Sequence, residues 1–191
     1  MHRIFVEVER CLACRSCELS CAVWRDSVSK TLMGAVREGN PRARVRVVGQ
    51  GGVSLPVQCR QCREGPCIEV CPTGAMRQNE DGLVLLAADL CTGCLMCAVV
   101  CPFGAIIPCV GRTVPLKCDS CEGMEAPYCV QACPTGALKR VDEAQWQRLL
   151  ARRAAAVAGS LDDLVLRKVL VYVDYARDGG NGDAQGTQKN P

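Results

Sequence analysis

The sequence predicts an α+β chain of two small lobes, one inserted in the other, followed by a helical extension at the C-terminus. Three observations carry this. Cysteine occurs 17 times in 191 residues, and all but one fall in four tight runs. Three of those runs end alike, as Cys71-Pro-Thr-Gly-Ala-Met, Cys101-Pro-Phe-Gly-Ala-Ile and Cys133-Pro-Thr-Gly-Ala-Leu, at spacings of 30 and 32 residues. That is an internal repeat. Beyond Arg140 the cysteines cease and the apolar spacing turns helical.

The third run, Cys91-Thr-Gly-Cys-Leu-Met-Cys-Ala-Val-Val-Cys-Pro102, has the spacing C-x2-C-x2-C-x3-C-P, which in bacterial ferredoxins holds a 4Fe–4S cluster. Three cysteines packed this closely reach three corners of one cube, and the fourth turns away to a neighbouring cluster. The other runs are Cys11, Cys14, Cys17 and Cys21; Cys59, Cys62, Cys67 and Cys71; and Cys118, Cys121, Cys129 and Cys133. Structural zinc wants two pairs of ligands separated by a loop, and these runs do not read that way. No C-x3-C-x2-C run for radical chemistry is present. The expectation is four 4Fe–4S clusters in two ferredoxin-like lobes.

The rule of exchanged fourth cysteines then assigns ligands. The adjacent second and third runs pair: Cys59, Cys62 and Cys67 with Cys101, and Cys91, Cys94 and Cys97 with Cys71. The outer runs pair across the chain: Cys11, Cys14 and Cys17 with Cys133, and Cys118, Cys121 and Cys129 with Cys21. Cys109 is left over. It reads as a small buried hydrophobe, with a redox-sensing thiol as the alternative.

In chain order, Ile4 to Val8 alternates and reads as a first strand. Ala22, not proline, follows Cys21, so a helix can run on through Val23 and Trp24. Residues 1–24 and 110–140 make one ferredoxin-like lobe, from the first and fourth runs. Residues 25–58 are an insertion, in which Arg42, Arg44 and Arg46 alternate with Ala43, Val45 and Val47. This reads as a strand with one basic face, either solvated or used to dock an acidic partner. Residues 59–109 make the second lobe. Its hairpins turn at Asn79-Glu-Asp-Gly82 and near Gly111-Arg112. In each repeat, proline stops the short helix of the fourth cysteine, and glycine turns the chain into the next strand. Asp142 reads as the N-cap of a helix to Ala158. Residues 141–177 form a partner-docking extension, with Trp146 and the apolar stretch Leu164 to Val173. The tail, 178–191, is polar and expected to be disordered.

The totals fit this reading. Two tryptophans, three tyrosines and two phenylalanines leave little bulk for an ordinary core. The start of the chain reads as carrying no secretory signal, and no apolar stretch is long enough to cross a membrane. A reducing, cytoplasmic setting follows, where thiols bind metal. The formal charge is +3. Four clusters with their thiolates would move it to roughly −5, so nucleic acid is not an expected partner. One histidine, no acid–base pair and no spaced glycine loop leave nothing to catalyse a reaction. Lys117, Arg60 and Arg63 are candidates for tuning cluster potentials.

Cys59-Arg-Gln-Cys-Arg-Glu-Gly-Pro-Cys-Ile-Glu-Val-Cys-Pro-Thr-Gly-Ala75 and Lys117-Cys-Asp-Ser-Cys121 resemble the iron–sulfur subunits of the dimethyl sulfoxide reductase family. The short soluble members, which serve CO dehydrogenase, formate hydrogenlyase and tungsten aldehyde oxidoreductase systems, are the most similar. The resemblance covers residues 1–140. It implies the same cysteine pairing and an electron-transfer subunit. The implied partners are a catalytic molybdenum, tungsten or nickel oxidoreductase subunit and a second redox partner, such as a ferredoxin, flavoprotein or hydrogenase. A free diffusible polyferredoxin and a cysteine-rich metal-binding module without an electron path are the alternatives.

Overall fold

A computed structural model describes residues 2–39, 41–50, 52–109 and 111–158. The chain divides into two units, Met1–Trp146 and Gln147–Pro191. β1 (His2–Val6) leads through a single 3-10 turn into α1 (Ser16–Arg25), which carries Cys17 and Cys21. With no proline after Cys21, α1 continues past it, as expected. α2 (Leu32–Glu38) is capped by the Thr31 hydroxyl, which accepts from the Gly34 amide at 3.1 Å. β2 (Arg46–Gln50) and β3 (Val53–Val57) follow. Then come α3 (Pro66–Glu69), β4 (Met76–Gln78), β5 (Val84–Leu86), α4 (Met96–Val99), β6 (Ile106–Ile107) and β7 (Leu116–Lys117). α5 (Tyr128–Gln131), β8 (Leu138–Asp142) and α6 (Glu143–Ala158) complete the described residues.

The strands pair antiparallel as β1 with β8, β2 with β3, β4 with β5 and β6 with β7. Among the described residues the first strand is thus closed by the last, Phe5 opposite Lys139. Short helices fill the intervals, so the chain is mixed helix and strand. Two separate apolar cores result. One gathers Ile4, Val6, Val45, Val47 and Leu138 with Cys17, Cys21 and Cys129. The other gathers Met76, Val84, Ile106 and Cys97, with Cys67, Cys71 and Cys101 against it. In both, sulfur occupies positions that larger side chains hold in an ordinary core.

Three expectations need correction. The first strand ends at Val6 and not Val8, because the Val8 carbonyl accepts from the Cys11 amide at 3.0 Å and closes the 3-10 turn. The basic strand begins only at Arg46, whose guanidinium donates to the Gly104 carbonyl at 2.8 Å. Before it, Arg44 reaches Asp119 at 2.9 Å, and the Arg42 amide donates to Asp26 at 2.6 Å. Arg44 and Arg46 are thus tied to other segments of the chain, while Arg46 stays exposed. Finally, Trp146 already has partners within the chain. Its ring meets the Phe5 ring edge-on at 5.7 Å, and the Arg3 guanidinium lies 5.4 Å above it.

Asp142 does cap α6. Its carboxylate accepts from the Gln145 amide at 2.7 Å, and the Gln145 side chain accepts from the Asp142 amide at 3.0 Å, a reciprocal capping box. The stretch Leu164 to Val173 and the tail 178–191 lie outside the described residues.

Candidate metal centre

Each cysteine run opens with two cysteines separated by two residues, and the residue before the second cysteine is always left-handed. Those residues are Ala13 (φ 54°), Gln61 (φ 51°), Gly93 (φ 73°) and Ser120 (φ 57°). Such a backbone costs about 1–2 kcal/mol for a non-glycine residue, so three of the four loops are strained. Successive right- and left-handed residues turn amide N–H groups into one concavity, the geometry that receives an anion or a sulfide-rich core.

The sulfurs gather into four groups. Cys71, Cys91, Cys94 and Cys97 line one cavity. Cys21, Cys118, Cys121 and Cys129 line another. Cys59, Cys62, Cys67 and Cys101 interact electrostatically with one another, as do Cys14, Cys17 and Cys133. Cys11 and Cys133 both pack against the first core. In the first three of these groups a cysteine from one run joins three from another. Cys109 belongs to none of them: it is buried, and its thiol donates to the Ile107 carbonyl at 3.6 Å.

The repeat after each Cys-Pro has a local purpose. Gly74, Gly104 and Gly136 all have positive φ (66°, 56° and 63°). The turn they allow sends an amide back to the preceding cysteine. Met76 N donates to Cys71 Sγ and Ala105 N to Cys101 Sγ, each at 3.5 Å. At Cys133, burial opposes ionisation. The Leu138 amide, the Thr135 hydroxyl and the Ala137 amide outweigh it and hold the thiol below its ordinary value. Cys14 and Cys71 are held low too, by hydrogen bonds from Ser16 and from the Met76 amide, but at more deeply set thiols burial wins. It pushes Cys17 and Cys67 up to about 11 and Cys118 up to about 12, with neighbouring sulfurs adding to the shift.

Around the Cys21 group the polar residues come from distant segments. Asp119 accepts from both Arg25 and Arg44 through one oxygen, and from the Cys121 amide at 3.0 Å through the other. Arg44 also donates its own amide to Cys21 Sγ at 3.2 Å. Gln61, 2% exposed, donates to the Cys118 carbonyl at 3.0 Å and accepts from the Val84 amide at 2.8 Å. Lys117, 5% exposed, places Nζ 3.4 Å from Cys59 Sγ and 3.0 Å from the Cys118 carbonyl; it also donates to the Val84 carbonyl. Arg60 lies over the Phe103 ring at 5.8 Å, and Arg63 is exposed. Of the three candidate tuners, only Lys117 has a cysteine sulfur within hydrogen-bonding range in its described contacts. Nothing in the residue pattern marks Gln58, Gln61 or Asp119, or points Arg44 inward, since their neighbours arrive from tens of residues away.

This donor set fits an iron–sulfur core. Buried thiols with raised pKa values stay protonated until a cation compensates them. Among the described residues, no three His, Cys, Asp or Glu side chains converge tightly enough for a single metal ion.

Comparison with known proteins agrees. Residues 52–143 match the 4Fe-4S dicluster domain family and residues 8–24 the 4Fe-4S binding domain family. An iron-sulfur protein of Rhodospirillum rubrum is 43% identical over 156 residues, spanning 73% of this chain and 81% of that protein. The B subunit of anaerobic dimethyl sulfoxide reductase of Escherichia coli (strain K12) is 34% identical over 144 residues, 70% of each protein. Electron transport protein HydN of the same strain is 31% identical over 171 residues, spanning 81% of this chain and 96% of that protein.

Proposed function

This protein belongs to the ferredoxin-type family of iron–sulfur electron-transfer proteins that includes the B subunit of dimethyl sulfoxide reductase, and we propose that it relays single electrons through four 4Fe–4S clusters. A bound cluster would accept and release one electron at a time. The ligand sets in this reading are Cys11, Cys14, Cys17 and Cys133; Cys21, Cys118, Cys121 and Cys129; Cys59, Cys62, Cys67 and Cys101; and Cys71, Cys91, Cys94 and Cys97. The observation that carries it is the cavity that joins Cys71 to three cysteines of the following run.

The four sets form a row. Cys129 interacts with Cys17, linking the first set to the second. Cys118 interacts with Cys59, linking the second to the third. Cys67 and Cys101 share a core with Cys71 and Cys97, linking the third to the fourth. Cys14 and Cys94 are exposed, whereas all four cysteines of the second set are buried. Entry and exit therefore belong at the first and fourth sets, with the interior kept from water. Residues 1–24 with 110–140, and residues 59–109, act as nested ferredoxin-like lobes. The β1–β8 pairing and the two separate cores support this.

The chain catalyses no reaction itself. It works beside a catalytic subunit, a molybdenum, tungsten or nickel oxidoreductase, and passes electrons to or from a second redox protein. Among the described residues no helix is long and apolar enough to cross a membrane. The cysteine density suits a reducing cytoplasm. Iron and acid-labile sulfide analysis of the anaerobically purified chain tests the reading. The expected value is about sixteen irons per chain. A reproducible value near eight, or stoichiometric zinc, would overturn it.

A further inference from the structure

Gln58 is fully buried, and both polar atoms of its side chain, Nε2 and Oε1, have no hydrogen-bond partner. A buried amide left so is costly, and native proteins seldom keep one without use. Its surroundings indicate the use. Gln58 lines the cavity of Cys21, Cys118, Cys121 and Cys129. Arg25 and Arg44 line the same cavity, and each has a buried Nε without a hydrogen-bond partner. Three unused side-chain N–H donors thus surround one group of sulfurs.

We propose that Gln58 donates an Nε2–H hydrogen bond to a sulfur of the cluster held by Cys21, Cys118, Cys121 and Cys129, and so raises its reduction potential. The inference rests on the four-cluster reading above. Reduction adds negative charge that spreads over the sulfurs, so an N–H donor stabilises the reduced state more than the oxidised one. Gln58 is no ligand; it acts on the cluster through this hydrogen bond. Its chain neighbour Cys59 belongs to the next set, so two consecutive residues serve consecutive clusters in the row.

The test uses the full holo-chain with side-chain ¹⁵N-labelled glutamine. Cys21→Ser first identifies which reduced-state EPR signal belongs to this cluster. In the wild type that signal is expected to show a ¹⁵N hyperfine coupling, and in Gln58→Met the coupling is expected to vanish. The same variant is expected to lose at least tenfold in reduced-to-oxidised ratio at a fixed potential, which is 59 mV for a one-electron couple. The other three signals are expected to keep their potentials. A wild-type signal without ¹⁵N coupling overturns the proposal, whether or not the variant folds. So does coupling that persists in Gln58→Met, or an unshifted potential. If the wild type holds fewer than four clusters and Cys21→Ser moves no signal, the four-cluster reading itself fails and takes this inference with it.

Discussion

The ammonium of Lys117 stands 3.4 Å from the sulfur of Cys59, a contact between residues 58 positions apart. The lysine is 5% exposed and has two backbone carbonyls as its other partners. A buried cation at this distance favours whichever state of its neighbour is more negative.

Lys117→Met should therefore lower the potential of the Cys59, Cys62, Cys67 and Cys101 cluster. The drop expected is about 60 mV or more, a tenfold change for one electron. Lys117→Arg should restore part of it. A redox titration followed by EPR reads both. Four unchanged potentials would reduce Lys117 to a structural role.

Serine at Cys71 should disturb the cluster of Cys91, Cys94 and Cys97, because Cys71 lines their cavity and the other cysteines of its own run do not. Mössbauer or EPR spectra of Cys71→Ser should show one altered centre. Damage confined to the Cys59, Cys62 and Cys67 centre would refute the exchange.

Two glycines with positive φ should respond differently to alanine. At Gly93 an added Cβ would meet the Thr113 carbonyl oxygen at 2.5 Å; at Gly74 nothing lies within 4 Å. Gly74→Ala should cost about 1 kcal/mol, from backbone conformation alone. Gly93→Ala adds a backbone clash, and should cost about 2–4 kcal/mol and drain iron from the Cys91, Cys94 and Cys97 centre first. Comparing the anaerobic thermal half-lives of the two variants checks the order.

Ending the chain after Trp146 retains the first unit, with the Trp146 contacts to Phe5 and Arg3. The cluster spectra should survive this truncation while co-purification with the catalytic subunit is lost. Full co-purification would show that residues 147–191 do not dock the partner.

The sequence made some of this legible because certain chemistry tolerates few residues. Cysteine spacing exposes the runs, Cys-Pro-x-Gly exposes the repeat, and Asp81-Gly82 exposes a hairpin whose Gly82 has φ 78°. Left-handed Ala13, Gln61 and Ser120 were hidden, because nothing in those side chains asks for that backbone and only the surrounding loop imposes it. Arg44 looked like part of a basic face. The carboxylate that turns it inward, Asp119, lies 75 residues further on, beyond the reach of any local pattern. Gln58 and Gln61 were invisible for the same reason.

The pairing of β1 with β8 also sets a timetable. On the ribosome β1 waits for β8, made more than 130 residues later, and in the proposed ligand sets Cys11, Cys14 and Cys17 wait with it for Cys133. At ordinary elongation rates the interval is roughly ten seconds. Throughout it, Ile4, Phe5 and Val6, which end up buried, stand uncovered beside three thiols with no fourth ligand. The inner runs, complete by residue 101, can be filled sooner. A nascent polypeptide stalled between residues 105 and 130 would be half-loaded, sensitive to oxygen at its N-terminal end, and a natural client for whatever guards new proteins during translation.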